Sequence, residues 1–180
     1  LFIEWYLEKH LKLNLDDSEK NEFQNILERY FNSLTLKQSS LVLRDFHADN
    51  LIYLNDRDGV HQLGLIDYQD ALIGSSAYDF VSLIEDVRHP IKDDLKNSLV
   101  EMYSKLISVD QNELKKGISF YSIQRNLKIV GIFSRLKYRD DKNNYFPMIE
   151  VAMGFIKNHL KDNEYKDLTN WINNIMNNSL

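Results

Sequence analysis

Residues 41–70 read LVLRDFHADNLIYLNDRDGVHQLGLIDYQD, and this stretch decides the fold of the chain. It holds two apolar, strand-like runs joined by a polar turn, with an acid ahead of the first run and another at the end of the second. Asp45 is followed by four residues and then Asn50, which leads into Leu51-Ile52-Tyr53-Leu54. The second run, Leu63-Gly64-Leu65-Ile66, passes directly into Asp67. Pairing of the runs through a turn at Asn55–Gly59 would put Asn50 and Asp67 at the same end of a hairpin. Three oxygen-bearing side chains would then converge on one point.

Asp45, Asn50 and Asp67 are the residue types that phosphoryl transfer needs. A carboxylate beside an acceptor hydroxyl orients it and takes its proton, while an amide oxygen and a second carboxylate hold magnesium on the phosphates of ATP. Magnesium prefers hard oxygen ligands and keeps several waters, so two protein ligands plus phosphate oxygens suffice. The spacing D-x-x-x-x-N, then an apolar run and an Asp, is that of a protein-kinase-like catalytic loop. In an acidic chain the same three residues also arise by chance, and Asp45 alone would equally read as a turn aspartate capping its own loop.

The segments LVLRDFHADNLIYL (41–54) and LGLIDYQDALIGSSAYDFVSLIEDVR (63–88) resemble the two signature segments of the aminoglycoside phosphotransferase and choline kinase superfamily. Within it, IDYQDALIGSSAYDFVSL is similar to the IDFQDA…G…YDLVSL run of the bacterial cell-wall sugar kinases, which phosphorylate the anomeric hydroxyl of N-acetylmuramate and N-acetylglucosamine. IQRNLKIVGIFSRLKYRDDKNNY (123–145) resembles that branch's QR-x-LK-x-x-G-x-F-x-RL…RDGK segment. The resemblance covers most of the chain, from the helix at Trp5-Tyr6 to about Tyr145.

It implies an α+β, mostly helical fold: a protein-kinase-like C-terminal lobe with a small β-hairpin carrying the catalytic loop and the metal-binding Asp. It implies Asp45 as catalytic base, Asn50 and Asp67 as ligands of magnesium and the nucleotide, and Asp79 as a scaffold acid that hydrogen-bonds the catalytic loop. ATP is the implied donor and an amino sugar the implied acceptor. Two departures stand out. Leu43 occupies the place where the family usually has His, a residue that supports the loop without reacting. The glycine-rich loop and lysine that cover the ATP phosphates are missing ahead of Leu1. The expectation is therefore one domain over 1–180, the phosphotransferase C-terminal lobe of a longer enzyme whose N-terminal nucleotide-covering lobe is absent from this chain.

Composition is compatible with that reading. With 43% hydrophobic and 12% aromatic residues in 180, the chain can bury a substantial core. Its formal net charge of −5 argues against a general nucleic-acid or anionic-membrane surface. The absence of cysteine excludes disulfides, thiolate metal sites and cysteine catalysis, and fits a reducing cytoplasm. No apolar run approaches the roughly 20 residues of a membrane helix. The oligomeric state is left open.

Around the hairpin the pattern is helical. Apolar residues recur at helical spacing over Leu1–Leu13 and again from Phe23 to Leu34, with candidate caps at Asp16, Asp17 and Ser18. Lys37–Ser40 reads as a polar connection and Ala71–Ser76 as a small-residue loop. Helices are expected over Tyr78–Val87, closed by His89-Pro90, over Leu95–Ile107, from Gln111 toward Lys137 behind an Asp110/Glu113 capping pair, over Met148–Leu160 and over Tyr165–Met176.

Four further residues are candidates for the acceptor site. Gln69 and Asp70 follow the metal acid closely enough to reach a substrate. Gln124 and Arg125 lie in the segment that, by resemblance, closes the sugar site, where an arginine would suit the lactyl carboxylate of N-acetylmuramate. The plainer alternative for that pair is a solvated helix face. Asp45-x-His47-x-Asp49 also permits a metal-dependent hydrolase, with ligands alternating along an extended segment, but no second histidine stands at ligand spacing. The rival functions are an aminoglycoside or choline-type kinase of the same superfamily and a non-catalytic pseudokinase or sugar-binding module.

Overall fold

The computed structural model of the chain describes residues 1–36 and 40–177. A π-helical segment, Phe2–His10, is followed by α1 (Asp17–Ser33), β1 (Ser40–Val42), β2 (Leu51–Tyr53), β3 (Leu63–Leu65), β4 (Leu72–Gly74), α2 (Ser76–Ile84), α3 (Asp93–Leu106), α4 (Gln111–Asp140), α5 (Met148–His159) and α6 (Lys166–Asn177). The expected mostly helical character is present, with two small antiparallel sheets. The connection expected at Lys37–Ser40 lies outside the described residues, except for Ser40, which opens β1.

The chain divides into two compact units, Leu1–Leu34 with Ser122–Leu180, and Thr35–Tyr121. In the first, α1 begins at a complete capping box: the Asp16 side chain accepts the Glu19 N–H at 2.8 Å, and the Glu19 carboxylate accepts the Asp16 N–H at 2.9 Å. Its buried Phe23 lies 4.8 Å, centroid to centroid, from Trp171 of α6, and the Trp171 indole donates to the Glu19 carbonyl at 3.0 Å. The N-terminal segment was expected to be an ordinary helix. It is instead wound with i→i+5 bonding, as in Leu11 N–H to Tyr6 carbonyl at 2.9 Å, which a stripe of Phe2, Tyr6, Leu7 and Leu11 accommodates as readily. Phe2 stacks on Phe23 at 6.0 Å, and the segment passes so close to α4 that only glycine fits at Gly131.

The second unit holds both sheets. β2 pairs with β3 in the register Leu51↔Leu65, Ile52↔Gly64 and Tyr53↔Leu63, the expected hairpin. Its connection is longer than the turn expected at Asn55–Gly59, since Gly59–Gln62 forms a 3₁₀ turn with Gly59 at a φ of 59°. Leu72–Gly74, expected as loop, is a strand that pairs with β1 (Ser40↔Gly74, Val42↔Leu72). Small residues hid it: a side chain at Gly74 would press on Val42.

Beneath this sheet α2 buries Ala77, Val81 and Ile84. α2 is shorter than expected, because Glu85 leaves helical geometry several residues before Pro90. Phe80 stacks on Tyr103 of α3 at 4.2 Å, and the Tyr103 hydroxyl donates to the Ser76 carbonyl at 3.0 Å. The fully buried Glu85 is paired with Lys96.

Candidate active site

The loop between β1 and β2 is fixed at its front by one side chain. Asp79, in the first turn of α2, accepts the N–H of Leu43 at 2.6 Å and that of Arg44 at 3.0 Å. Arg44 stands at a φ of 72°, a conformation that costs a non-glycine residue about 1–2 kcal/mol and persists where its surroundings hold it. The two charge-assisted bonds do so, and Asp79 is itself favoured at the positive end of its helix. This is the scaffold part that the resemblance implied for Asp79, and it is made through backbone groups, so Leu43 is no obstacle to it.

Beyond Arg44 the backbone turns tightly. The Asp45 carbonyl accepts the His47 N–H at 3.1 Å and the Asn50 side-chain amide at 2.9 Å, which fixes the Asp45 backbone and leaves its carboxylate exposed. Because the Asn50 Nδ2 is spent on that carbonyl, its Oδ1 is the atom available to a cation.

The hairpin register leaves Asn50 and Asp67 at the same end of the hairpin. The Asn50 carbonyl accepts the Ile66 N–H at 3.2 Å, so Asn50 faces Ile66 at the open end of the hairpin and Asp67 is the next residue beyond that rung. Asp67 has a φ of 59° and accepts a 2.6 Å bond on Oδ1 from the Gln69 amide. Gln69 therefore orients the acid. Asp70 is exposed just beyond it.

Gln124 and Arg125 belong to the other unit, on α4. Arg125 is only 5% exposed, which overturns the solvated helix face. From Leu114 to Ser134 this helix has no continuous polar stripe, and its charged residues cannot be read as surface by spacing alone.

The hydrolase alternative finds no assembled site. His47 is buried, and that burial, reinforced by Arg88, holds its imidazole below its usual value. Asp49 is turned away, accepting from His89 Nε2 at 3.0 Å and Arg88 Nε at 3.2 Å, and its carboxyl is held below its usual value first by the His89 bond. Among the described residues no group of three or more His, Cys, Asp or Glu could hold a metal ion. Arg88 and His89 were missed as functional candidates; the available signal was a basic pair one residue after the acidic pair Glu85-Asp86.

Among the described residues no helix is long and apolar enough to cross a membrane. A profile of the phosphotransferase enzyme family (APH) matches residues 1–114. The chain is 31% identical over 164 residues to the N-acetylmuramate/N-acetylglucosamine kinase of Neisseria meningitidis serogroup B, covering 87% of this chain and 48% of that protein. It is 30% identical over 129 residues to the kinase of the same name from Caulobacter vibrioides, covering 71% of this chain and 36% of the relative. The corresponding Pseudomonas putida protein is 28% identical over 164 residues, or 87% and 47% of the two chains. The chain thus spans half or less of the length of these curated relatives. With the acidic loop, the hairpin and its clasp in place, the family match over residues 1–114 settles the relationship: the chain belongs to the phosphotransferase enzyme family.

Proposed function

We propose that the chain is the C-terminal, substrate-binding lobe of an ATP-dependent amino-sugar kinase that phosphorylates the anomeric hydroxyl of N-acetylmuramate and N-acetylglucosamine in cell-wall recycling in the cytoplasm. The observation that carries the reading is the placement of Asn50 and Asp67 at the same end of the hairpin, Asn50 bonded to the residue before Asp67, after a loop that presents an exposed Asp45. The similarity to three curated kinases of that name supports the choice of acceptor. Apolar side chains left exposed on the strands, such as Leu41 at 65% and Ile73 at 67%, fit a lobe whose nucleotide-facing side is covered by a further segment.

Asp45 orients the sugar's anomeric hydroxyl and accepts its proton as the oxygen attacks the γ-phosphorus of ATP. The new O–P bond forms in line with cleavage of the bond to the β-phosphate oxygen, giving the sugar 1-phosphate and ADP. An anomeric hydroxyl is more acidic than an ordinary alcohol, so a carboxylate is an adequate base. Asn50 Oδ1 and the Asp67 carboxylate are a hard-oxygen pair that suits magnesium and would hold one or two ions, whose charge neutralises the phosphates. Gln69 holds the Asp67 carboxylate in one orientation. Asp70, and Gln124 with Arg125, are assigned to the acceptor.

The reading is tested by incubating the full-length protein with magnesium-ATP and each sugar, following the products by phosphorus NMR. A sugar 1-phosphate accompanied by ADP is expected. Phosphorylation of choline or an aminoglycoside alone would move the protein to another branch, and no transfer to any of these would leave a binding module.

A further inference from the structure

We propose that Arg88 and His89 are positioning residues which, by gripping Asp49, fix the turn that presents Asn50 to the metal-nucleotide; the catalytic consequence rests on the kinase reading above. Asn50 sits at the end of a 3₁₀ turn of only three residues, Ala48–Asn50, whose N-cap His47 makes no side-chain cap bond. So short a turn has little stability of its own. Asp49 is its middle residue, and its two carboxylate oxygens are taken by different partners, Oδ1 by His89 Nε2 at 3.0 Å and Oδ2 by Arg88 Nε at 3.2 Å. A carboxylate held at both oxygens is restrained, and so is the backbone that carries it.

The grip is anchored in turn. Asp86, 1% exposed, accepts the Arg88 N–H at 3.0 Å, and its same oxygen lies 3.6 Å from Arg88 Nη1. Arg88 is thereby held through its backbone and its guanidinium, which a lysine could not reproduce. Pro90 restricts His89 to extended conformations. Asp86 lies two residues beyond the end of α2, whose first turn carries Asp79. One helix and its exit therefore hold the loop at both ends, Asp79 before Asp45 and the Arg88–His89 pair next to Asn50.

Two measurements on the full-length protein test this. The first is hydrogen–deuterium exchange without metal or nucleotide. Arg88→Ala should speed exchange across residues 47–52 and leave α4 and α6 unchanged. The second is turnover against magnesium concentration: Arg88→Ala should lower kcat and raise the magnesium requirement by roughly ten- to a hundred-fold, the usual effect of losing a partner that orients a metal ligand. KM for the sugar should move little, Arg88→Lys should recover only part of the loss, and Arg88→Ala combined with Asp49→Ala should be no worse than Asp49→Ala alone.

Unchanged exchange at 47–52, or exchange raised equally throughout the chain, overturns the proposal. So does an unchanged magnesium requirement in an active enzyme. If the wild-type protein transfers phosphate to neither sugar, the kinase reading fails, while the exchange result still decides whether Arg88 holds the turn.

Discussion

Asp79 Oδ1 accepts the backbone N–H of Arg44 at 3.0 Å while Arg44 stands at a φ of 72°, so an acid on α2 holds in place the strained turn immediately ahead of Asp45. The other oxygen of the same carboxylate takes the Leu43 N–H at 2.6 Å. Removing the acid leaves two partly buried N–H groups unpaired and the left-handed turn unsupported. Asp79→Ala should cost about 1.5–3 kcal/mol of stability, the range for hydrogen bonds to a charged group, and should lower kcat more than it raises KM for ATP. Thermal unfolding and steady-state kinetics of the full-length protein check both parts, and Asp79→Asn should fall between the variant and the wild type.

Gly131 supports the N-terminal segment in a different way. A Cβ there would lie 2.5 Å from the Leu1 carbonyl carbon and 2.6 Å from the Phe2 nitrogen, backbone atoms that cannot rotate aside. Gly131→Ala should therefore destabilise the protein by about 1–3 kcal/mol despite its better helix propensity, as overpacking does. Thermal unfolding decides this, since a gain in stability would mean that the π-helical segment is not seated on α4.

A pH effect should arise at His10. Its Nδ1 lies 2.6 Å from the Tyr138 hydroxyl, and the ring meets Tyr6 and Phe146. Burial, with Lys137 and Lys12 adding to it, holds the imidazole below its usual value. The unfolded chain then takes up this proton more readily than the folded one, so the contribution is complete above the ordinary histidine value of about 6.5 and is lost as the pH falls below it. Between about pH 7 and pH 5 the wild type should lose more thermal stability than His10→Gln, and equal losses would remove His10 from the account.

The hairpin was legible because its determinants are local: two apolar runs and a polar connection with Gly59, with Asn50 entering the first run and Asp67 leaving the second. The capping box of Asp16 and Glu19 was legible in part for the same reason. β4 was not, because its partner β1 lies some thirty residues upstream and Gly74 is selected by contact with Val42. Arg88, His89 and the buried Glu85 were equally hidden. Their partners Asp49 and Lys96 are brought to them by the fold, and a charged residue shows nothing in sequence of whether its partner will bury it.

Arg125 carries the prediction about acceptor choice. If it serves the lactyl carboxylate, Arg125→Ala should weaken turnover of N-acetylmuramate relative to N-acetylglucosamine by about 1.5–3 kcal/mol, since only the former bears that charge. Affinity for ATP should change little. Equal losses on both sugars would assign the buried arginine to the interior of its own unit.

The central claim is that Asp45 takes the proton from the acceptor, and Asp45→Asn in the full-length protein tests it most directly. The substitution keeps the size of an exposed side chain and the loop's backbone bonds, and removes only the base. Steady-state turnover with magnesium-ATP and N-acetylmuramate should fall by roughly 10²–10⁴-fold, with the unfolding temperature and the KM for ATP close to wild type. Turnover near the wild-type rate would contradict the account.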